Sequence, residues 1–295
     1  MADTPALLVT GATGLIGSAL AARRPTVPLP RRAPPGGGPW WSPLEGAVHD
    51  APAQVGAVVH LAGAPVTASR WTPDHKAAIR DSRTLGTRTI VDWIASRKQR
   101  PAVLVSASAI GLYGDRGDTP LDESAGQGEG FLADVVAAWE AEAERVRALG
   151  VRLVILRVGI VLSPDGGALA EMLPAFRLGA GGPLGSGRQW FPWIHIDDVL
   201  NIIDWALRDP GADGAYNVVA PGIVRQKAFA KALGARLGRP ALVPAPKLAL
   251  RLMFGRQMAT EALLSSVKVV PRRLEAAGFA FQHPTVTGAL ASLSL

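Results

Sequence analysis

The sequence predicts an α/β protein built on a doubly wound parallel sheet, with a smaller C-terminal lobe. Its first half alternates short runs rich in β-branched residues with helical stretches. Such alternation is typical of parallel sheets with right-handed crossovers. The run ALLVT (6–10) also leads directly into the glycine-rich stretch GATGLIG, which opens a helical pattern. A strand, a glycine turn and a helix in that order are typical of a nucleotide-binding sheet.

The other elements follow from local patterns. We predict buried strands at 6–10, 56–63, 102–109, 151–162 and 215–219, because each is a short apolar run. We predict helices at 15–23, 72–98, 133–150 and 195–209, and shorter ones at 227–238, 246–255 and 271–279. The helix at 72–98 opens with Thr72 as a good N-cap before Pro73, and the helix at 133–150 stops at Gly150.

Two stretches are less regular. A second strand belongs at 26–32, where Pro28 and Pro30 restrict it to a sheet edge or a strand start, because proline cannot donate to the ladder. The stretches 32–43 and 178–193 are rich in glycine and proline, and we predict loops there. The expected domains are a dinucleotide-binding domain at 1–165, to which 194–219 returns, and a small substrate lobe formed by 166–193 and 220–295.

Composition excludes several classes of protein. The chain has 295 residues, 48% of them hydrophobic, and no cysteine. Disulfides, thiolate catalysis and cysteine-type zinc sites are therefore excluded. The sequence contains no apolar run long enough to span a membrane, so we expect a cytoplasmic protein without a membrane partner. The net charge of +7 comes from scattered residues without interleaved aromatics, so we expect no nucleic-acid partner.

The glycine-rich stretch predicts a phosphate site. Gly11, Gly14 and Gly17 give the spacing GxxGxxG between a strand and a helix. In that context the backbone N–H groups and the helix dipole meet a pyrophosphate. After the second strand, an acidic residue would favour NAD and an arginine would favour NADP. Arg31 and Arg32 stand there, so we predict NADP(H) and consider NAD(H) the weaker alternative.

Several motifs in order identify a family. TGATGLIG, HLAGAPV with RWT after it, SASAIGLYGD, LRVGIVL, WIHIDDV and NVVAP span most of the chain. With them, the chain resembles the extended short-chain dehydrogenase/reductase superfamily. It is more closely similar to the epimerase-family branch of atypical reductases, described as nucleoside-diphosphate-sugar-epimerase-like or cell-division-inhibitor-like. The resemblance implies an NADP-binding Rossmann domain and a small C-terminal substrate lobe.

The resemblance also implies site residues. The implied cofactor contacts are Gly11, Thr13, Gly14, Leu15, Ile16, Arg31, Arg32, Leu61, Ala62, Gly63, Ser82, Ser106, Ala107, Arg157, Gly159 and Ile160. The stretch from Gly17 to Arg31 looks several residues shorter than is usual in the superfamily. Active members place a tyrosine and, four residues on, a lysine on the helix after the serine-containing strand. Here those positions hold Phe131 or Leu132 and Val135 or Val136, so the YxxxK pair is missing.

Candidate catalytic and substrate residues remain. Ser108 could orient a substrate oxygen, and Tyr113 is the available phenol for proton transfer. Arg70, Trp71 and Trp190 are candidate substrate contacts. We expect His60 to be buried and hydrogen-bonded and His195 to cap or pack at a helix start. The five histidines are far apart in sequence, so no metal site is expected.

Two functions stay open. The first is an NADP(H)-dependent oxidoreductase or sugar-nucleotide-epimerase-like enzyme with an atypical active site, acting on a small molecule. The second is a non-catalytic NADP(H)-binding protein that reports redox state to a partner. The sequence leaves open whether the protein is a monomer or a homodimer.

Overall fold

The central sheet is parallel, as the sequence predicts. The computed structural model describes residues 5–295. Its strands are β1 (Ala6–Thr10), β2 (Val27–Leu29), β3 (Trp40–Ser42), β4 (Ala47–His49), β5 (Val55–His60), β6 (Val103–Ala109), β7 (Pro120–Leu121), β8 (Arg152–Val158), β9 (Ile160–Leu162), β10 (Trp190–Phe191), β11 (Trp193–His195), β12 (Gly214–Val218), β13 (Val224–Arg225) and β14 (Lys268–Val269). Six of them form one sheet in the order β12-β8-β6-β5-β1-β2, and every neighbouring pair is parallel.

Helices lie on both faces of this sheet and in the C-terminal half of the chain. They are α1 (Leu15–Arg23), α2 (Pro73–Ser96), α3 (Phe131–Glu144), α4 (Gly167–Arg177), α5 (Ile196–Arg208), α6 (Gln226–Arg236), α7 (Lys247–Phe254), α8 (Arg256–Met258), α9 (Arg272–Ala276) and α10 (Val286–Ser292). Leu20 of α1 and Ile203 of α5 pack on one face, whereas Ile90 of α2 and Ala143 of α3 pack on the other. This is the doubly wound arrangement that burial of two apolar faces requires.

The position of β2 at the sheet edge explains how this strand accommodates Pro28. It pairs with β1 alone, and Pro28 lies opposite Val9. An edge strand has one side without a partner, so the missing proline N–H costs no ladder hydrogen bond there. The carboxyl end of β2 therefore lies beside the carboxyl end of β1, where the glycine-rich stretch begins.

The loop prediction at 32–43 is wrong for its last residues. Trp40–Ser42 forms β3, which pairs antiparallel with β4. Trp41 is 1% exposed and packs within the core under the α2 face, with its ring edge toward His60. The proline- and glycine-rich composition masked this hairpin, because two adjacent tryptophans bury enough area to order a short strand pair.

Other boundaries differ for identifiable reasons. The strand predicted at 151–162 is split into β8 and β9 at Gly159, where a Cβ would lie 2.5 Å from the Pro192 carbonyl oxygen. The helix predicted at 133–150 ends at Glu144 and continues as a 3₁₀ helix to Leu149, before Gly150 in the left-handed conformation. The sequence patterns missed α4, which contains Pro174, and α10, which contains Gly288.

A third apolar cluster lies between helices from the C-terminal half. Leu173 and Phe176 of α4, Phe229 of α6 and Leu290 of α10 are buried together there. Leu274 of α9 belongs instead to the core on the α1/α5 face of the sheet. Part of the stretch 220–295 thus packs on the parallel sheet. Within the described residues, no helix combines the length and the apolar character needed to cross a membrane.

Candidate functional site

The glycine loop (residues 11–17) turns sharply at the carboxyl end of β1. Gly11 has φ +68°, and a Cβ there would lie 2.8 Å from the backbone carbon of Leu61. A Cβ on Gly17 would lie 2.2 Å from the Gly11 carbonyl oxygen. The Gly14 N–H donates to that same oxygen at 3.0 Å. Only glycines allow the first turn of α1 to pack this closely on the end of β1.

The amino end of α1 has room for an anion. Gly14 is the N-cap, no side chain within the described residues caps the helix, and the first turn holds no acidic residue. Thr13 and Gly14 are exposed. The unpaired N–H groups and the positive end of the helix dipole therefore face solvent at the carboxyl edge of the sheet, as a phosphate requires.

A buried hydrogen-bond chain supports this edge from below. The Thr10 hydroxyl bonds His60 Nδ1 at 2.7 Å and accepts from the N–H groups of Leu61 and Ala62. His60 Nε2 bonds the Thr87 hydroxyl at 3.0 Å. Burial lowers the pKa of His60 from 6.5 to about 4, so the ring is neutral at physiological pH. The prediction that His60 is a buried, hydrogen-bonded residue is confirmed.

The segment after β5 is tied to α2. The Ser82 hydroxyl accepts from Ala64 N at 2.9 Å. Arg83, which the sequence analysis did not single out, donates to the carbonyl oxygens of Ala64 and Ile79. Its guanidinium lies against Gly63, and burial lowers its pKa to about 10. The Arg83 guanidinium, next to Gly63, is a candidate ligand contact. Its position directly after Ser82 in the sequence was the available clue.

Arg31 and Arg32 are the residues predicted to read the 2′-phosphate of the cofactor. They follow β2 after Pro30, and Leu29 of β2 is paired with Thr10 of β1. Both arginines are exposed. Neither guanidinium has a hydrogen-bond or ion-pair partner within residues 5–295. The two arginines thus follow the strand that pairs with β1, the strand before the glycine loop.

The predicted catalytic hydroxyls belong to a polar network, defined here as Ser108, Glu140, Arg157, Tyr113 and Asn217. Glu140 accepts from Ser108 at 2.5 Å and from Arg157 through two guanidinium nitrogens, each at 2.9 Å. Burial opposes the charge on Arg157, but the hydrogen bond and charge of Glu140 outweigh it and raise the pKa of Arg157. The ion pair is nearly enclosed, with side chains 10% and 13% exposed.

Tyr113 completes the network. Its hydroxyl donates to Asn217 Oδ1 at 2.6 Å and accepts from Arg157 at 3.0 Å. The residue is 0% exposed. Burial raises the pKa of its hydroxyl, and the neighbouring Arg157 charge opposes that effect. The structure therefore places the Tyr113 hydroxyl beneath the edge of the sheet, and the Ser108 hydroxyl faces α3.

The positions at which the family resemblance predicts the tyrosine and lysine of a YxxxK pair hold apolar side chains at the start of α3. Leu132 and Val136 pack toward Gly111, just after β6. Phe131 meets Trp71 in an edge-to-face contact with 5.0 Å between ring centroids. This part of α3 therefore presents no titratable side chain at the positions that the pair would occupy.

Two of the predicted substrate residues, Arg70 and Trp71, are adjacent in the chain. Arg70 donates to the carbonyl oxygens of Leu252 and Met253, at the end of α7. Trp71 lines an open cavity of about 480 Å³ with Lys76 and Phe131.

Trp190 lies elsewhere. The guanidinium carbon of Arg225 lies 3.9 Å from its ring centroid, and Lys268 Nζ lies 5.0 Å from it. Its indole N–H donates to Asp118.

The remaining predicted cofactor contacts surround the carboxyl edge. Leu61, Ala62 and Gly63 follow β5, Ser106 and Ala107 lie in β6, and Gly159 and Ile160 follow β8. The side chain of Ser106 is turned inward, since it is 1% exposed and donates to the Ala107 carbonyl. The edge thus brings the glycine loop, the segment after β5 and the turn after β8 together, whereas the Arg157 guanidinium is engaged in the polar network.

Comparison with known proteins places the chain in a family. Residues 43–219 match the model of the NAD dependent epimerase/dehydratase family, and residues 245–293 match a domain of unknown function, DUF1731. The chain belongs to the NAD dependent epimerase/dehydratase family. The resemblance that the sequence motifs indicated is therefore confirmed.

Relatives extend this match over nearly the whole chain. The chain is 38% identical to the Bos taurus epimerase family protein SDR39U1, over 96% of this chain and 98% of that protein. It is 37% identical to an epimerase family protein of Mycobacterium bovis, over 96% and 95%. Family membership thus includes the C-terminal segment.

Two solved structures share the fold and a substantial part of the sequence. The human epimerase family protein SDR39U1, solved with NADPH, has a TM-score of 0.90 and 36% identity, covering 97% of this chain and 98% of that one. A nucleoside-diphosphate sugar epimerase from Corynebacterium glutamicum has a TM-score of 0.76 and 32% identity, covering 98% and 58%. This chain therefore has a Rossmann-type fold, as its parallel sheet indicates.

Proposed function

We propose that this protein binds NADP(H) at the carboxyl edge of its parallel sheet. The observation that carries the proposal is the open amino end of α1 beside Arg31 and Arg32. The helix end fits the pyrophosphate, and the paired guanidinium groups fit the 2′-phosphate that distinguishes NADP(H) from NAD(H). The human relative solved with NADPH supports the same assignment.

We place the other end of the cofactor near the ends of β6 and β8. Gly63, Ala107, Gly159 and Ile160 would contact the nicotinamide half through backbone and small side chains. Gly159 packs so closely on the Pro192 carbonyl that a side chain would not fit at this position. A small-molecule substrate would then enter from the side of the cavity at Trp71.

The experiment compares NADPH and NADH binding to the full chain. Arg31→Ala/Arg32→Ala should weaken NADPH binding by about 10-fold to 100-fold, the loss of one or two charge-assisted contacts, and leave NADH binding nearly unchanged. Arg251→Ala/Arg256→Ala is the matched control, since it removes the same charge from exposed positions on the C-terminal lobe. Equal losses for the two cofactors in the Arg31/Arg32 variant would contradict the assignment.

For the chemistry we propose an oxidoreductase or epimerase-like reaction with an atypical active site. Ser108 and Tyr113 are the hydroxyls available near the end of β6, but they are bonded to Glu140 and Asn217. Each would have to release that partner before it could touch a substrate. Turnover of NADPH on some member of a carbonyl and nucleotide-sugar panel, abolished by Tyr113→Phe in a variant that still binds NADPH, is the expected result.

The second candidate is a non-catalytic NADP(H)-binding protein that reports redox state. Its support is the apolar character of Phe131, Leu132, Val135 and Val136 together with the fully paired polar network. Tight NADPH binding without turnover across the same panel is its expected result. Turnover on any member of the panel would eliminate it.

A further inference from the structure

The excess positive charge of the chain is concentrated in one stretch of its C-terminal half. Residues 214–260 hold eight of the 31 basic residues and none of the 24 acidic ones. The rest of the chain has almost equal numbers of the two kinds and is nearly neutral. The net charge is therefore not scattered along the chain, as was expected, but is carried by the segment that includes α6, α7 and α8.

The same stretch exposes apolar side chains. Of the seven large apolar residues that are exposed in the described part of the chain, five lie between positions 242 and 253. Exposed basic residues alternate with them, namely Arg239, Lys247, Arg251 and Arg256. Within residues 5–295, none of these four side chains has an ion-pair or hydrogen-bond partner. We call the exposed side chains of residues 239–256 the basic apolar surface.

Helix α7 directs apolar side chains outward. Leu250 is 6% exposed and packs inward, whereas Leu248 and Leu252 are 69% and 65% exposed. The two exposed leucines are four residues apart, so they lie next to each other on the face opposite Leu250. Lys247 and Arg251 form the neighbouring row with the same spacing. The outermost feature of this helix is thus a protruding apolar row beside a basic row.

Contacts with the dinucleotide-binding domain hold α7 in this orientation. The Arg70 guanidinium donates to the carbonyl oxygens of Leu252 and Met253 at the end of the helix. Lys76 Nζ, near the start of α2, donates to Gln257 of α8 at 3.1 Å. The leucines cannot turn inward without breaking these contacts, so their exposure is a property of the fold.

We propose that the basic apolar surface docks on a lipid bilayer that contains anionic lipids. Leucines of such a surface bury in the boundary between head groups and acyl chains, and the lysine and arginine side chains beside them bind lipid phosphates. The absence of acidic residues from 214–260 is complementary to the negative charge of that bilayer. Docking of this kind needs no segment that crosses the membrane.

Other occupants fit the surface less well. A symmetric dimer would place the unpaired cations of one copy against those of the other, which is repulsive. An acidic protein has the right charge, but it would need pockets that match the protruding Leu248 and Leu252. A bilayer accepts protruding leucines without such shape complementarity.

The test measures co-sedimentation of the full chain with vesicles of phosphatidylcholine, either alone or mixed with phosphatidylglycerol. We expect binding to the anionic vesicles that is about 10-fold or more tighter than binding to the neutral ones and that weakens as salt rises. Leu248→Ser/Leu252→Ser keeps the charge and should weaken binding to the anionic vesicles by about 10-fold or more, because apolar insertion is lost. Lys247→Gln/Arg251→Gln should weaken it by about 5-fold for each charge.

Matched control variants lie outside the surface. Leu44→Ser removes an apolar side chain that is 93% exposed. Lys98→Gln/Arg100→Gln removes two exposed cations just after α2 and leaves the same net charge as Lys247→Gln/Arg251→Gln. Both controls should bind the anionic vesicles as the unaltered chain does. Thermal unfolding of every variant separates loss of docking from loss of the fold.

Three results would each overturn the proposal. The first is that the unaltered chain does not bind the anionic vesicles. The second is equal weakening by the two pairs of charge substitutions, which would mean adsorption through net charge alone. The third is that Leu248→Ser/Leu252→Ser binds as the unaltered chain does. If the chain bound an acidic amphipathic peptide and no vesicles, the surface would be a protein-docking site instead.

Discussion

The cofactor edge and the polar network lie in the same sheet and differ in one respect. At the glycine loop the backbone donors of α1 and the Arg31 and Arg32 guanidinium groups have no partners within the described residues. In the polar network, Ser108, Tyr113 and Arg157 all bond to partners within the chain. A site built for a ligand leaves its polar groups open, and a structural network closes them. On the proposed function, the cofactor would therefore bind at the open edge, whereas the hydroxyls predicted to be catalytic belong to the closed network.

The largest expected effect is a loss of stability when the polar network is disrupted. Arg157→Leu would leave Glu140 buried without its cation, which typically costs about 3–5 kcal/mol of unfolding free energy. The double variant Arg157→Leu/Glu140→Leu removes both charges and should recover most of that loss. Chemical denaturation of the two variants checks the prediction.

The same pair of variants can break the comparison. If the network is only structural, the double variant binds NADPH about as well as the unaltered chain. A double variant that folds stably and no longer binds NADPH would mean that Arg157 serves the cofactor directly, as the family resemblance implies.

A smaller effect is expected from His60, beneath the cofactor edge. Its pKa is 6.5 in its ordinary state and about 4 in the folded chain. The unfolded chain therefore binds more protons between those values, so stability is full above about pH 6.5 and falls as the pH drops toward 4. At 1.36 kcal/mol per pKa unit the loss is about 3 kcal/mol at most.

His60→Gln tests this pH dependence, because the amide can still bond the hydroxyls of Thr10 and Thr87 but does not titrate. The difference in unfolding free energy between the two proteins should shrink between pH 7 and pH 4. Parallel stability curves over that range would show that the buried ring is not responsible.

The sequence was sufficient for the parts of the molecule that depend on local patterns. The parallel sheet and the glycine loop follow from short apolar runs and glycine spacing, and the family follows from motifs in order. Pro28 restricted the second strand to a sheet edge or a strand start, and the structure has β2 at the edge.

The rest depends on contacts between distant elements. The pairing of Arg157 with Glu140, and of Tyr113 with Asn217, joins strands and helices whose facing side chains no local pattern specifies. The contact between His195 and His283, whose ring centroids lie 3.8 Å apart, is of the same kind, since widely separated histidines gave no spacing to read. Trp41 was hidden by its proline- and glycine-rich neighbours, although its burial orders a hairpin against the core.

The smallest expected effect is a loss of NADPH binding when the glycine loop is altered. In Gly17→Ala the new Cβ would lie 2.2 Å from the Gly11 carbonyl oxygen, so the loop must shift. Its N–H groups would then no longer point at the phosphate. We expect NADPH binding to weaken about 100-fold, which is about 2.7 kcal/mol. Gly36→Ala is the matched control, because a Cβ there meets no atom within 4 Å. If Gly17→Ala bound NADPH as tightly as Gly36→Ala, the cofactor would not rest on the glycine loop, and the contrast between an open edge and a closed network would lose its functional meaning.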